Sequence, residues 1–243
     1  MKLYRDVGLV LRTRDLGEAD RIVTILTRHH GKVDAVAKGV RKTSSRFGAR
    51  LEPFTRVDVL LYRGRNLDTV TEVVSLAAYG SSFVGDYDAY TAACAMVELA
   101  DDLSEYGEPD ESHYLLLVSA LASLARREHD AQLIMDSYIL RALRLSGWEM
   151  SVSECANCGR SDDLVAFSER AGGVLCSQCA PHSAPRINDD ERQLMVALLA
   201  GSWKDTAQAG IRTLHVVTSY INAYTVWQLE AGLKSLRVAA LPR

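Results

Sequence analysis

The chain has 243 residues, with Lys+Arg 28 against Asp+Glu 31, a formal net charge of −3, 48% hydrophobic residues and 24% charged ones. That is ordinary globular composition, long enough for two or three small domains and for a core that needs no disulfides. Met1 to Asp6 is too polar for a secretory leader, and the longest stretch without Asp, Glu, Lys or Arg, Thr213 to Leu229, falls short of the ~20 apolar residues of a membrane span. No membrane association is expected, and five cysteines without a leader point to a reducing cytoplasm.

The mean charge hides a split. Residues 1–80 hold 15 Lys+Arg against 9 Asp+Glu, a net +6, and the remainder holds 13 against 22, a net −9. The basic excess is concentrated between Arg28 and Arg50, where Arg28, Lys32, Lys38, Arg41, Lys42, Arg46 and Arg50 face Asp34 alone. Electrostatic fields act within a Debye length of ~8–10 Å, so a basic third on an acidic remainder can still meet nucleic acid. A solvated basic loop is the bland alternative.

In chain order, the first eighty residues read as strands. Tyr4 to Leu11 is rich in Val and Leu, Gly17 to Asp20 is a polar turn, and Arg21 to Thr27 alternates and is β-branched. His30-Gly31 is a further turn, and Lys32 to Ala37 alternates again. Lys38 to Pro53 has room for a loop and one short helix. Val57 to Tyr62 and Leu67 to Leu76 form a hairpin across Arg63-Gly64-Arg65-Asn66. Five strands in this order predict a Greek-key barrel of the OB type over 1–80, with an SH3-like barrel as the competing architecture.

Beyond Asp86 the period becomes helical. Helices are predicted over Tyr87 to Ser104, from an Asp110 or Ser112 cap to about Arg127, and over Ala131 to Ser146 between an Asp130 cap and Gly147. Two more follow, from an Asn188 cap to about Ala200 and from Thr213 to Leu236. Residues 81–150 and 187–243 thus form a helical domain interrupted by a Gly-rich, cysteine-bearing insert at 151–186. The fold class is multidomain α+β.

Within the insert, Cys155-x-x-Cys158 and Cys176-x-x-Cys179 offer four thiolates in two turns, which suits a tetrahedral ion. Gly159 supplies the freedom for positive φ after the first pair, with its N–H facing a sulfur. Leu164 to Ser168 and Val174-Leu175 can form the hairpin of a zinc ribbon, closed by Ala171-Gly172-Gly173. Four cysteines leave no position for water, so a zinc ion there is structural. Iron, two disulfides and a dithiol redox centre are the alternatives. His182 is a spare ligand, and Cys94 lies among apolar helix positions.

Other residues carry weaker signals. His29-His30 has only Asp34 as a nearby partner, Asp101-Asp102 reads as a solvated helix face, and Gly80, Gly85 and Gly107 build no phosphate loop. No nucleophile, base and oxyanion donor assemble, so no enzyme is expected. Phe47, inside the basic loop, is the candidate for base stacking, and Phe54 reads as core. Few rings and many cations point to phosphate contact with weak sequence preference.

Five pieces occur together at characteristic spacings: Gly17-Glu18-Ala19-Asp20-Arg21-Ile22-Val23, Ala37-Lys38-Gly39-Val40-Arg41-Lys42, Leu51-Glu52-Pro53-Phe54, Met135-Asp136-Ser137-Tyr138 with Leu140-Arg141, and Gly147-Trp148 ahead of the four cysteines. In this order they resemble the RecO family of bacterial recombination mediators, along almost the whole chain. The resemblance implies an OB domain, a helical domain and a zinc-binding insert, with no enzymatic activity. It implies binding to single- and double-stranded DNA, annealing of complementary strands and, with RecR, help in loading RecA onto DNA coated by single-stranded DNA-binding protein (SSB), in the cytoplasm at the nucleoid. Arg21, Lys38, Arg41 and Lys42 fall on the family's basic OB surface, and Arg46 and Arg50 extend it by charge. The acidic SSB tail is expected on the helical domain, where Arg126, Arg127, Arg141, Arg144, Lys234 and Arg237 are local cations beside apolar faces. A zinc-ribbon RNA-binding or regulatory factor on the same barrel is the second reading, and a metal-dependent nucleic-acid enzyme a third.

Overall fold

A computed structural model describes residues 2–43, 45, 47–206, 209–229, 233 and 235. Five strands, β1 (Leu3–Leu16), β2 (Asp20–Thr27), β3 (Gly31–Ala37), β4 (Thr55–Tyr62) and β5 (Asp68–Ala78), close into a barrel in the order β1-β2-β3-β5-β4. All pairings are antiparallel except β3 with β5, which run parallel through only Ala35–Asp68 and Val36–Thr69. This is the OB-type order, with one 3₁₀ turn, Gly48–Leu51, between β3 and β4. Val10, Val23, Ile25, Ala35, Val57, Val59, Leu61 and Val70 fill the interior by the two-residue period of strands. β1 extends past Leu11 because a bulge at Val10/Arg12 lets one long strand bend and pair with β4 along its first half and β2 along its second.

Two helices, α1 (Tyr87–Leu103) and α2 (Glu111–Arg126), pack on β1 and belong with the barrel to the compact unit Met1–Glu128. α1 turns Ala92, Ala93, Met96 and Ala100 inward, and its small residues let the helix approach the sheet closely. Leu9, Leu11 and Leu26 lie on the outer barrel face and are nonetheless buried. Asp101 is no solvated residue: its carboxylate lies 2.6 Å from Arg12 Nε and 3.0 Å from the buried Lys32 Nζ. The imidazoles of His29 and His30 turn to Asp6 rather than Asp34, at 2.9 and 2.6 Å. Burial raises the Asp6 carboxyl, but the two rings and the backbone N–H groups of His29 and Val7 outweigh it and hold the group below the usual carboxylate range.

The second unit, His129–Arg243, contains α3 (Ala131–Leu145), the hairpin β6 (Leu164–Ser168) and β7 (Gly173–Cys176), then α4 (Asp189–Ala200), a one-turn α5 (Trp203–Thr206) and α6 (Ile211–Leu229). Asp86, Asp110, Asp130 and Asn188 each accept a backbone N–H at the start of their helices, and Asn188 forms a full capping box with Glu191. The expected continuation of the last helix to Leu236 lies outside the described residues apart from Leu233 and Ser235. α3, α4 and α6 share a core of Ile134, Ile139, Leu143, Leu194, Leu198, Val217 and Ile221.

One carboxyl sits inside that core. Asp136 is fully buried on α3, accepts from Gln132 Nε2 at 2.9 Å and from Thr218 Oγ1 at 2.6 Å, and burial outweighs both bonds to push it up to about 7. A folded pKa above the unfolded value of 3.8 means the native state binds the extra proton between those values. Its stabilisation is complete below 3.8 and is lost as pH rises through about 7. Asp136→Asn, which keeps an acceptor for Gln132, is expected to raise stability by about 1–3 kcal/mol at pH 8 and to change it little at pH 5. Thermal melts of both proteins across that range check this. A variant that loses stability equally at both pH values contradicts a neutral Asp136.

Candidate nucleic-acid rim and metal centre

β3 leaves the sheet at Ala37, and the chain from Lys38 to Pro53 crosses one end of the barrel. Phe47 and Leu51 drop from this segment into the barrel core and are each 2% exposed. Phe47 is therefore an apolar plug and not a stacking platform, which corrects the expectation for it. On the same segment Lys38, Arg41, Lys42, Thr43 and Arg50 are exposed. Phe54 is buried as expected, edge-on to Phe83 and Tyr90 at 5.8 and 5.9 Å.

Two loops meet at this end. The Arg41 N–H donates to the Ala19 carbonyl at 3.0 Å, and the Gly39 N–H to Asp20 Oδ1 at 2.7 Å, tying the β3 loop to the β1–β2 turn. Arg21, Lys38, Arg41 and Lys42 all stand on this tied pair or on the strand ends that carry it. Their states differ. Lys38 and Lys42 are exposed, and no ion pair holds either among the described residues. Arg21 pairs with Glu52 at 2.8 Å and Asp15 at 3.2 Å, which raises its pKa, and Arg41 reaches Asp15 at 3.3 Å and the Gly17 carbonyl at 3.1 Å. Arg50 is exposed and donates to the Phe47 carbonyl at 3.3 Å. Arg46 lies outside the described residues. Sequence reasoning missed Asp15 and Glu52 as partners, since neither stands within five residues of Arg21. Glu52 stands in the Lys38 to Pro53 loop, where its charge was visible, whereas Asp15 has no local signal and meets Arg21 through the β1–β2 ladder.

The candidate partner cations separate in the same way. Arg126 pairs with Glu128 at 2.7 Å and Arg127 with Asp86 at 3.3 Å, both in the first unit. Arg141, on α3 in the second, is half-buried, and no ion pair or hydrogen bond holds it among the described residues. Burial and neighbouring Arg144 lower its pKa. Lys234 and Arg237 lie outside the described residues.

The four cysteines converge. The Sγ atoms of Cys155, Cys158, Cys176 and Cys179 all lie within 4.8 Å of one another, with Cys158 and Cys176 3.8 Å apart. A tetrahedral ion with metal–sulfur bonds of ~2.3 Å requires edges of about 3.8 Å, so the donor set fits a metal ion. The β6–β7 hairpin and a tight turn after Cys155 set this geometry. Gly159 has φ +74, and its N–H donates to the Cys155 carbonyl rather than to a sulfur. Burial raises the Cys155 thiol, but N–H groups of Cys176, Cys158 and Asn157 aimed at it prevail and bring it down to about 6. Cys179 moves up, because Cys158 and Cys176 crowd it with sulfur. Gly173 lies against Ser151, whose carbonyl oxygen would stand 2.1 Å from any Cβ, so the insert closes on its preceding segment only with glycine there. Cys94, expected in the core, is half-buried beside Tyr90. His182 is exposed and outside the cluster.

A metal ion held by the four thiols would tie the hairpin to the turn at Cys155, so its removal is expected to loosen the insert first. Stripping the protein with a chelator, or substituting Cys176→Ser, is expected to speed amide hydrogen exchange at least tenfold across 151–186 while leaving the barrel strands protected. Unchanged exchange in the insert after complete metal removal counts against a structural ion.

The family model described as Recombination protein O N terminal matches residues 1–79, and that described as Recombination protein O C terminal matches residues 84–237. Among curated proteins, the DNA repair protein RecO of Thermobifida fusca is 48% identical over 239 residues, covering 98% of each chain. The DNA repair proteins RecO of Frankia casuarinae and Streptomyces griseus are 47% and 46% identical, covering 97% and 98% of this chain and 98% of their own. A closed OB-type barrel, a helical unit holding a four-cysteine cluster, and matches along both parts place this chain in the RecO family of DNA repair proteins.

Proposed function

We propose that the chain is a non-enzymatic recombination mediator, cytoplasmic and associated with the nucleoid. It binds single- and double-stranded DNA through the rim, anneals complementary strands and, with RecR, helps RecA load onto SSB-coated single strands. The observation that carries this reading is the tied pair of loops presenting Arg21, Lys38, Arg41 and Lys42 at one barrel end, Lys38 and Lys42 exposed and without an ion pair among the described residues. Arg50 and Arg46 extend the same basic segment. With Phe47 buried, the rim offers cations and backbone rather than rings, which supports phosphate contact with little reading of base identity. The second reading, a zinc-ribbon RNA-binding or regulatory factor on the same barrel, would use the same phosphate contacts, and comparing annealing of DNA with annealing of RNA separates the two.

Zinc is the ion proposed for Cys155, Cys158, Cys176 and Cys179. Four thiolates in a tetrahedral set suit it, and they leave no coordination position open for a substrate or water. When bound, it cross-links the hairpin to the turn at Cys155 and supplies stability alone. For the acidic SSB tail, the half-buried Arg141, without an ion pair among the described residues, is the proposed anchor, while Arg126 and Arg127 are occupied by Glu128 and Asp86.

The test is DNA affinity of the full chain against salt. Lys38→Glu with Lys42→Glu is expected to weaken binding to a single-stranded oligonucleotide at least tenfold at 100 mM salt. The slope of log K against log salt should flatten by about 1.4, at ~0.7 per lost phosphate contact on a single strand. Wild-type binding should change less than threefold among base compositions, and annealing should fall with the same double variant. Unaltered affinity and slope contradict the rim as the DNA site. In parallel, Arg141→Glu should weaken capture of a fluorescent SSB-tail peptide and leave DNA affinity intact. Full retention of the peptide moves the tail site elsewhere.

A further inference from the structure

The rim carries its own counter-charge. Asp15, near the end of β1, stands between two of its four cations: Arg21 Nε reaches Asp15 Oδ1 at 3.2 Å, and Arg41 Nη2 reaches Asp15 Oδ2 at 3.3 Å. The remaining arms are engaged as well, Arg21 Nη1 with Glu52 Oε1 at 2.8 Å and Arg41 Nη1 with the Gly17 carbonyl at 3.1 Å. Both guanidinium groups are therefore committed to protein oxygens, whereas Lys38 and Lys42 have no ion pair among the described residues.

This arrangement is fixed by the backbone. Asp15 pairs directly with Arg21 across β1 and β2, so the ladder sets their two side chains side by side. The bonds from Arg41 to Ala19 and from Gly39 to Asp20 bring the second arginine to the same carboxylate. Exposed ion pairs of this kind contribute little to stability, so folding alone gives no account of why one carboxylate should hold two arginines here. What the pairing does change is the availability of the arginines to an incoming anion.

We propose that Asp15 is an acidic clamp that sets the nucleic-acid affinity of the rim by competing with backbone phosphates for Arg21 and Arg41. The proposal rests on the phosphate-binding reading above and deepens it. A strand first meets Lys38 and Lys42, and it gains the two guanidinium groups only by displacing the Asp15 carboxylate. One charge-assisted contact is then exchanged for another of the same kind, so the arginines add little net attraction. The result is weak, easily reversed binding, which suits a protein that must release each strand it handles.

Glu18 provides the internal control. It lies in the β1–β2 turn three residues beyond Asp15, is exposed, and has no ion pair among the described residues. Its substitution removes the same charge from the same neighbourhood without freeing either arginine. The experiment measures anisotropy of a fluorescein-labelled oligothymidylate with full-length wild type, Asp15→Asn and Glu18→Gln, from 50 to 300 mM salt. Asp15→Asn is expected to tighten binding about three- to tenfold at 100 mM and to steepen the salt slope by about 0.7–1.4, as one or two arginines become available to phosphate. Glu18→Gln is expected to change affinity less than twofold and to leave the slope alone. Adding Arg21→Ala and Arg41→Ala to Asp15→Asn should erase the gain, and melts of each variant should superimpose on wild type.

Equal tightening by Asp15→Asn and Glu18→Gln would show that only net charge matters and would overturn the clamp. Unchanged or weaker binding by Asp15→Asn would do the same. Failure of the parent reading looks different: wild type and the Lys38→Glu, Lys42→Glu protein would then bind alike.

Discussion

The barrel closes on its β3–β5 side through two residue pairs, Ala35–Asp68 and Val36–Thr69, and that economy of pairing shapes everything at its basic end. β3 has no partner to follow beyond Ala37, so the chain must leave the sheet and cover the exposed interior. Phe47 and Leu51 do so by entering the core, each side chain contributing ~1.5–3 kcal/mol of apolar burial. Ahead of these two anchors the same segment carries Lys38, Arg41 and Lys42, all exposed, with Arg41 turned to Asp15. A hydrophobic constraint thus holds the segment that displays the cations, with no demand that the cations attract one another.

Crowded cations repel, and the fold answers locally. Asp15 and Asp20 come from the β1–β2 turn and its flanks, and Glu52 from the approach to β4, to pair with or tie down the basic segment. The rim is thus a balanced structure, with two cations open and two held. A net charge of −3 over the chain has little bearing on it, because screening confines its field to about a Debye length. In the other compact unit the four cysteines bring the β6–β7 hairpin and the turn at Cys155 together into a donor set that fits a metal ion.

What could be read in the sequence was what depends on neighbours along the chain. The caps Asp110, Asp130 and Asn188, the β4–β5 turn and the paired Cys-x-x-Cys motifs all act within a few residues, and all appear where the spacing predicts them. What was misread depends on contacts closed by the barrel. His29 and His30 find Asp6 more than twenty residues away because β1 runs beside the β2–β3 turn, and Asp101 meets Arg12 and Lys32 only once α1 docks. Phe47 shows the limit most clearly: a ring inside a basic loop has the same local pattern whether it plugs a barrel or stacks on a base. The acids that occupy Arg21 and Arg41 were invisible to a count of charges, since the sum records their presence but not their aim.

The most direct measurement of the rim's role is a titration of the isotopically labelled full chain with a short single-stranded oligonucleotide, following backbone amide shifts by NMR. The account predicts that the largest changes fall on Gly17–Arg21 and on Lys38–Lys42, that they are independent of base composition, and that added salt reverses them. Changes confined to residues 129–229, with the two tied loops silent, would contradict it.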